Sequence, residues 1–288
     1  MQVDNNFRWD SCPLCHSRSV SKIDRADYGG KINFSSQEID LSNHPEIWVC
    51  DQCSSGFAQN IIPKTTAASL YSMSRAGERW SRVPFEQLKT PEVVRAMSLV
   101  FRDKGRVLDV GCNTGELLDF AGQFGCVTSG LEYSDDSREV IRGKGHTPYQ
   151  SFDELSDQFE IITAFDLVEH LYDVPAFLSN CHGKLVNGGK LILLTGDIQS
   201  VSARAAGAHW WYVQYPEHIV FPSRLFFESL SNFKLENWVP TYAAAAYNYP
   251  FYRVLLSRLK RIMIMKKYSG LPSRSPDHAL IVLNKVDA

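Results

Sequence analysis

After Lys104 the sequence alternates short apolar runs with segments of helical spacing, and this alternation limits the possible folds more than any other feature. The runs that predict strands are RVLDVGC, VTSGLEYS, EIITAFDLV, GGKLILLTG, ENWVPTYAA and HALIVLNK. The segments that predict helices are GELLDFAGQFG, DDSREVIRGKG and VPAFLSNCHGKL. Such alternation is typical of a mainly parallel sheet with helices on both faces. We therefore predict an α/β fold.

Composition and pattern divide the chain into three regions. Residues 1–62 hold two Cys-x-x-Cys pairs and turn-forming stretches but little apolar sequence, which predicts a small domain. Residues 63–103 have helical spacing, with Thr90 and Pro91 placed as N-cap and first residue of a helix that ends near Phe101. We interpret this region as a helical connector and lid. Residues 104–288 form the α/β domain.

Charge and hydropathy exclude several classes of protein. The formal net charge is -2 and the sequence pI is about 6.4, so no overall basic field favours nucleic acid. The N-terminus resembles neither a signal peptide nor a transit peptide, and no apolar run approaches the ~18 residues of a membrane span. We predict a cytoplasmic protein without a transmembrane segment.

The stretch LDVGCNTGELL predicts a strand, a glycine turn and the start of a helix. Glycine permits a close backbone approach, and a helix N-terminus offers unpaired N–H groups to a ligand. The loop has neither the Gly-x-Gly-x-x-Gly spacing of dinucleotide folds nor the Gly-Lys-Ser/Thr of a phosphate loop. The next strand ends at Glu132, 23 residues after Asp109, where a carboxylate can accept both hydroxyls of a ribose.

Together, LDVGCNTG, GLEYS and FDLVEHLYDVPAFL resemble the class I S-adenosylmethionine-dependent methyltransferases. The resemblance implies a Rossmann-like seven-stranded sheet, mostly parallel, from about residue 104 to the C-terminus. It implies S-adenosylmethionine as cofactor, with Glu132 on its ribose, Phe165 and Asp166 beside its sulfonium, and Phe152 and Asp153 at its adenine. The residues that it places at the methionyl end are Asp109, Gly111, Asn113, Thr114 and Gly115.

The two cysteine pairs predict a structural zinc site. Cys12 and Cys15 form one Cys-x-x-Cys, and Cys50 and Cys53 form the other, with 34 residues between the two pairs. Two such pairs supply four thiolates, the closed tetrahedral set of structural zinc. His16 and His44 are alternative ligands that four cysteines make unnecessary, and a redox dithiol is the rival interpretation. The second pair, IWVCDQCSSGF, has the pattern of a zinc ribbon.

A zinc ribbon ahead of this methyltransferase domain resembles bacterial sugar methyltransferases, including the sugar C-methyltransferases. The resemblance implies a small-molecule acceptor, a sugar or nucleotide sugar. The C-methyltransferases carry a further C-terminal domain for which this sequence has no room. Methylation of oxygen is therefore at least as well supported as methylation of carbon.

An acceptor hydroxyl or carbon must lose a proton, and histidine is the natural base near neutral pH. The sequence has two Glu-His pairs, one at His170 and one at His218. The resemblance implies proton transfer by a Tyr-x-Glu-His segment, which Tyr215, Glu217 and His218 match. His170 and His209 are the alternative bases. The competing interpretation of HWWYVQYPEHIVFPS is a packed core.

Two basic segments offer further contacts. Tyr71, Arg75, Arg79 and Arg82 could meet an anionic group such as a nucleotide diphosphate, or be solvated. Residues 251–267 combine basic and aliphatic side chains, which predicts either a membrane-surface helix or a last helix packed on the sheet.

We predict methyl transfer to a small polar acceptor. Two alternatives remain at this stage. One is a ribosomal RNA base methyltransferase with a zinc module, although no Asn-Pro-Pro-Tyr or Asp-Pro-Pro-Tyr motif is present. The other is a catalytically inactive zinc-ribbon adaptor.

Overall fold

The computed structural model describes residues 2–26, 31–34, 37–72, 83–242 and 275–286. The N-terminal strands are β1 (Gln2–Val3), β2 (Val20–Arg25), β3 (Lys31–Phe34), β4 (Gln37–Leu41), β5 (Glu46–Cys50) and β6 (Gly56–Gln59). They are followed by the helices α1 (Lys64–Ser72), α2 (Phe85–Leu88) and α3 (Pro91–Phe101). The helix predicted after Thr90 is confirmed.

The second half alternates strands and helices as the sequence predicts. Its strands are β7 (Arg106–Val110), β8 (Val127–Leu131), β9 (Thr147–Tyr149), β10 (Phe159–Phe165), β11 (Leu185–Gly196), β12 (Val220–Phe221), β13 (Phe233–Thr241) and β14 (His278–Lys285). Its helices are α4 (Glu116–Gln123), α5 (Asp135–Gly143), α6 (Val174–Lys184), α7 (Val201–Ala206) and α8 (Arg224–Glu228).

Seven of the described strands form the central sheet, in the order β13-β14-β11-β10-β7-β8-β9. Neighbouring strands from β9 to β11 are parallel, and β14 runs antiparallel to both β11 and β13. The predicted seven-stranded, mostly parallel sheet is therefore confirmed. The strand order reverses beside β7, and the crevice at the carboxyl ends of β7 and β10 is the usual ligand position in such sheets.

Alternate residues of the strands pack on opposite faces of the sheet. Leu108 and Ile162 belong to one buried cluster, whereas Val107 and Ile161 belong to the other. Helix α3 covers the second face through Val93, Met97 and Phe101, which are spaced by four residues. The side chain of Thr90 makes no N-cap hydrogen bond; its hydroxyl lies 2.8 Å from that of Thr241 at the end of β13.

The N-terminal strands are joined to the second half of the chain through β12. Strand β12 pairs antiparallel with β6 and completes a four-stranded sheet in the order β12-β6-β5-β2. The Ala58 amide donates to the carbonyl of Ile219 at 2.8 Å, and the Ser223 amide donates to the hydroxyl of Ser55 at 3.0 Å. The cysteine-bearing strands are thus continuous with the segment that holds His218.

Some predicted segments lie outside the described residues: Arg75, Arg79 and Arg82 of the lid, and the basic segment 251–267. Across the parts of the chain that the structure covers, no helix combines the length and the apolar character that crossing a membrane requires.

Candidate active site

The glycine loop connects β7 to α4 at the carboxyl end of the sheet. Gly111 and Gly115 have φ values of 74° and 84°, a conformation that other residues rarely adopt, and Asn113 also has a positive φ of 48°. The Gly111 amide donates to the carbonyl of Leu131 at 2.8 Å, which ties the loop to β8. A Cβ on Gly115 would meet Ile141 at 2.9 Å, so the loop lies close against α5.

Glu132 follows β8 and faces this loop. One carboxylate oxygen accepts the backbone amide of Asn113 at 3.0 Å, and the other accepts that of Ser134 at 3.0 Å. Two backbone donors hold the carboxylate in a fixed orientation and leave lone pairs on each oxygen. The contact with the two hydroxyls of a ribose that the sequence predicts for Glu132 stays a prediction.

Asp109 and Thr114 are both buried. Asp109 accepts a hydrogen bond from the hydroxyl of Thr163 at 2.7 Å, and burial raises its pKa to about 7. Thr114 directs its hydroxyl to Glu116, at the start of α4. Of the predicted methionyl-end residues, Thr114 therefore has its hydroxyl engaged within the loop.

Phe165 and Asp166 follow β10 at the next strand end. Asp166 has a positive φ of 51°, uncommon for a residue other than glycine and often found at functional sites. Its carboxylate lies 2.6 Å from the ammonium of Lys89, which is also 5.8 Å from the centroid of the Phe165 ring. Partial desolvation opposes ionisation of Asp166, whose side chain is 44% exposed, but the ammonium of Lys89 outweighs it and holds the pKa of this carboxyl below its usual value.

The predicted adenine residues lie beyond β9. Phe152 and Asp153 begin a single 3₁₀ turn, Phe152–Glu154. Phe152 is half-buried, with its ring edge-on to Phe177 at 6.3 Å, and Asp153 is exposed. They follow β9, as Glu132 follows β8 and the glycine loop follows β7, so all of them lie after the carboxyl ends of neighbouring parallel strands. The glycine cradle and the oriented carboxylate of Glu132 fit S-adenosylmethionine.

His218 lies in the aromatic segment, which we define as residues His209–Ser223. Its Nδ1 is 2.7 Å from the carbonyl oxygen of Tyr212. A carbonyl only accepts, so Nδ1 carries the proton and Nε2 has its lone pair available. Burial, followed by the charge of His170, lowers the pKa of His218 well below 6.5, which keeps the imidazole neutral near pH 7.

His170 packs against His218 with ring centroids 4.7 Å apart and planes at 88°. Its Nδ1 lies 3.0 Å from the carbonyl oxygen of Glu217 and 3.3 Å from the hydroxyl of Tyr71. The two predicted Glu-His pairs thus lie close together in space. The backbone carbonyl of Glu217, rather than its carboxylate, orients the ring of His170. Tyr71, predicted as part of the lid, joins the same group.

Glu169 lies beneath this histidine pair and is fully buried. Its carboxylate accepts the hydroxyl of Tyr212 and, at 3.0 Å, that of Thr195. Ligating atoms of Glu169, His170 and His218 all lie within 4.8 Å of one another. Burial raises the pKa of Glu169. Tyr212 therefore connects these two residues: its hydroxyl donates to Glu169, and its backbone carbonyl accepts from His218.

Tyr215 and His209, the other predicted members of this side, face the N-terminal strands. The Tyr215 hydroxyl donates to the carbonyl of Asn60 at 2.7 Å and accepts from the amide of Asn5 at 3.2 Å. His209 ends a 3₁₀ turn, Gly207–His209, that packs on β2 and β5. The structure therefore places neither side chain with the His170–His218 pair.

The remaining aromatics of this segment explain its composition. Trp210 and Tyr212 are buried against the end of β11, where a Cβ on Gly196 would collide with both rings. Trp211 stacks on His278, with ring centroids 5.4 Å apart. The segment is thus packed core along most of its length, and at His218 it meets His170.

The four predicted metal ligands converge between the two cysteine turns. The sulfurs of Cys12 and Cys53 are 3.7 Å apart, those of Cys15 and Cys50 are 3.5 Å apart, and all four lie within 4.8 Å of one another. Zn–S bonds of ~2.3 Å place tetrahedral sulfurs about 3.8 Å apart, so these distances fit a zinc ion. His16 and His44 are outside this group.

Sequence reasoning missed Lys89, His278 and the role of Tyr212. His278 begins β14 and is buried beside Tyr212, with ring centroids 4.6 Å apart. These residues come from the connector, the last strand and an aromatic run, and no local motif marks them. Only the sheet order, which places β14 next to β11, brings His278 to the site.

The model of a family described as a methyltransferase domain matches residues 83–232, which is more than half of the chain. A ubiquinone biosynthesis O-methyltransferase of Coxiella burnetii is 31% identical over 103 residues, or 32% of this chain. One from Pseudomonas aeruginosa is 26% identical over 101 residues. Each match spans 44% of the length of the relative.

Among solved structures, the magnesium protoporphyrin IX methyltransferase of Synechocystis PCC 6803 is similar over 78% of this chain and 98% of its own, with 14% identity and a TM-score of 0.49. The YcgJ protein of Bacillus subtilis is similar over 67% of this chain and 99% of its own, with 16% identity and a TM-score of 0.47.

Proposed function

This chain belongs to the methyltransferase-domain family, and we propose that it transfers the methyl group of S-adenosylmethionine to a small polar acceptor, a sugar or nucleotide sugar. The observation that carries the proposal is the position of His218. A neutral imidazole with an available Nε2 lies at the same end of the sheet as the glycine loop and Glu132. A cofactor site and a base for the acceptor therefore share one face of the molecule.

When bound, S-adenosylmethionine supplies an electrophilic methyl group on its sulfonium. On the cofactor side, Glu132 would hold the ribose hydroxyls, and the turn from Gly111 to Gly115 would admit the methionyl part against the backbone. Asp109 and Asp166 provide carboxylates for its amino group. Methyl transfer mainly requires that donor and nucleophile be aligned a few ångströms apart, so rigid contacts of this kind contribute most.

On the acceptor side, Nε2 of His218 would accept the proton that the acceptor hydroxyl loses when it is methylated. The carbonyl of Tyr212 fixes the tautomer, since Nδ1 must donate to it. Glu169 holds Tyr212 and so positions His218 from below. His170 and Tyr71 add polar groups that suit an acceptor with several hydroxyls.

The acceptor atom that receives the methyl group is also part of this proposal. The two curated relatives described above are named as O-methyltransferases, which favours oxygen over carbon. A hydroxyl flanked by others, as in a sugar, matches the group of hydrogen-bonding side chains around His218. Tyr215 is proposed as a positioning residue, because its hydroxyl is bound to the backbone of Asn60.

The cysteine cluster holds a structural zinc ion in this proposal. Four thiolates would close the coordination shell, so the metal would support folding rather than react. The zinc ion would stabilise the hairpin of β5 and β6. Strand β12, which is part of the aromatic segment, pairs with β6 of this hairpin. Four reduced cysteines also fit a reducing compartment such as the cytoplasm.

The direct test is a screen of nucleotide sugars and free sugars for release of S-adenosylhomocysteine, with the wild-type chain beside His218→Gln. We expect turnover with at least one acceptor of this class and its loss in the variant. Turnover only with an aromatic phenol would replace the acceptor class. Failure to bind S-adenosylmethionine would contradict the proposal as a whole.

A further inference from the structure

Asp277 and His278 form a buried carboxylate–imidazole pair to which the proposed function gives no role. Their side chains are 1% and 4% exposed. One carboxylate oxygen of Asp277 lies 2.8 Å from Nδ1 of His278, and the other accepts Nε1–H of Trp211. The backbone is held as well, since the Asp277 amide donates to the carbonyl of Thr241 and the Asp277 carbonyl accepts the amide of Asp197. The carboxylate is therefore fixed in position.

The ring of His278 is held in one orientation. It stacks on Trp211, with ring centroids 5.4 Å apart and planes at 28°, and it meets Tyr212 edge-on at 4.6 Å. An ionised carboxylate only accepts hydrogen bonds, so Nδ1 donates to Asp277 and Nε2 points away from it. Among the described residues, no hydrogen-bond partner lies at Nε2. Buried polar atoms are rarely left unpaired, so Nε2 is suited to a hydrogen-bonding ligand.

This pair lies beside the proposed base. His278 pairs with Gly196, the last residue of β11, at the carboxyl end of the parallel strands. The ring of Tyr212 contacts two imidazoles, with its centroid 4.5 Å from that of His218 and 4.6 Å from that of His278. His278 thus shares an aromatic neighbour with His218 on the acceptor side.

The charges around His278 favour a neutral ligand over an anion. Asp277 is in direct contact, and Asp166 is within electrostatic reach. Desolvation raises the pKa of Asp166, but the charge of Lys89, followed by that of His278, outweighs it and lowers this pKa. Two carboxylates in this region would repel a phosphate or a carboxylate. A hydroxyl is uncharged and both donates and accepts, so it can pair with Nε2 of His278 in either protonation state.

We propose that Nε2 of His278 binds a second hydroxyl of the acceptor, other than the hydroxyl that His218 deprotonates. The two imidazoles would then select acceptors that carry at least two hydroxyls, as sugars do. His278 is therefore a specificity-determining residue. This inference rests on the proposed function, because it assumes methyl transfer to such an acceptor.

Two substitutions of His278 separate recognition of the acceptor from support of the fold. Asparagine places its amide near the position of Nδ1, so His278→Asn keeps a donor for Asp277 and removes Nε2. Glutamine reaches the position of Nε2, so His278→Gln keeps a polar group there and removes the donor to Asp277. Both variants and the wild type are assayed for release of S-adenosylhomocysteine with a panel of nucleotide hexoses and their monodeoxy analogues.

We expect the wild type to lose about 10- to 100-fold in kcat/KM with one analogue that retains the methylated hydroxyl, because Nε2 is then left unpaired. His278→Asn should no longer discriminate between this analogue and its parent sugar. His278→Gln should keep most of the discrimination. Calorimetry with S-adenosylmethionine checks that each variant has a folded cofactor site.

Two results would overturn the inference alone. One is a wild type that methylates every analogue with the methylated hydroxyl as well as it methylates the parent sugar. The other is the reverse order of the variants, in which His278→Asn keeps the discrimination and His278→Gln loses it, as a purely structural pair would require. A wild type that releases no S-adenosylhomocysteine with any of these sugars would instead contradict the proposed function, and this inference with it.

Discussion

His218 and His170 meet edge to face, with ring centroids 4.7 Å apart, and each donates through Nδ1 to a backbone carbonyl of the aromatic segment. The acceptors are the carbonyls of Tyr212 and Glu217, so one stretch of chain sets the tautomer of both rings. The neutral imidazole of His218 is thereby placed beside His170 at the carboxyl end of the sheet. This pair is the basis of the following predictions.

Replacement of His218 should abolish turnover without loss of cofactor affinity. His218→Gln keeps a polar side chain but removes the base, so we expect kcat to fall by about 10²- to 10⁴-fold. Calorimetry with S-adenosylmethionine should give nearly the wild-type affinity. His209→Gln is the matched control in the same segment and should retain wild-type turnover. Full activity in His218→Gln, or its loss in His209→Gln, would be evidence against His218 as the base.

The pH dependence of turnover should have its acidic limb below pH 6.5. Burial and His170 lower the pKa of His218, so the base stays neutral, and active, until the pH falls through that lowered value. His170→Gln removes one cause and should move the limb to higher pH. Rate profiles of both proteins at saturating substrate measure this. A limb that stays in place in His170→Gln would rule out His218 as the titrating group.

Replacement of Asp109 should stabilise the fold while weakening the cofactor site. Burial raises the Asp109 pKa to about 7, so between pH ~4 and 7 the native state binds a proton that the unfolded chain has released. Native stability is therefore lost as pH rises through this window. Asp109→Asn should raise the thermal midpoint more at pH 8 than at pH 5, and the exposed-site control Asp136→Asn should show no such difference. Equal shifts of the thermal midpoint at both pH values would contradict the conclusion that burial of the ionised Asp109 carboxylate destabilises the fold.

Removal of the metal should impair the acceptor side of the site more than the cofactor side. Strand β6 carries β12, and the Ala58 amide is bonded to the carbonyl of Ile219, next to His218. We expect about one zinc ion per chain by mass spectrometry, and loss of turnover on chelation with S-adenosylmethionine affinity largely kept. Cys15→Ser should reproduce the effect, and Cys126→Ser, outside the cluster, should not. Full turnover of a metal-free chain would oppose this coupling.

Loss of the Tyr215 hydroxyl should affect stability rather than proton transfer. The hydroxyl bonds the carbonyl of Asn60, so Tyr215→Phe should lower the free energy of unfolding by about 1 kcal/mol. The acidic limb of the rate profile should not move. A variant of unchanged stability with strongly reduced turnover would restore Tyr215 to the proton-transfer role that its motif implies.

The sequence predicts the sheet well, because strand and helix periods and the glycine turn are local signals. It also predicts that Glu132 follows a strand end and that the four cysteines converge, since each lies at a fixed offset from a motif. The acceptor side is different: Glu169, Tyr212 and His278 meet His218 only through the packing of β10, β11 and β14. The Tyr-x-Glu-His match likewise does not reveal that the Tyr215 hydroxyl turns towards Asn60.

The proposed function rests on cofactor binding at Glu132. Both carboxylate oxygens are fixed by the amides of Asn113 and Ser134, so Glu132→Gln would lose the oriented charge while keeping its size. Calorimetry of S-adenosylmethionine with the wild type should show one site, weakened by about 10-fold or more in Glu132→Gln. The exposed control Glu139→Gln should bind like the wild type. No binding by the wild type at millimolar cofactor, or equal affinity in Glu132→Gln, would contradict a methyl-donor site at this end of the sheet.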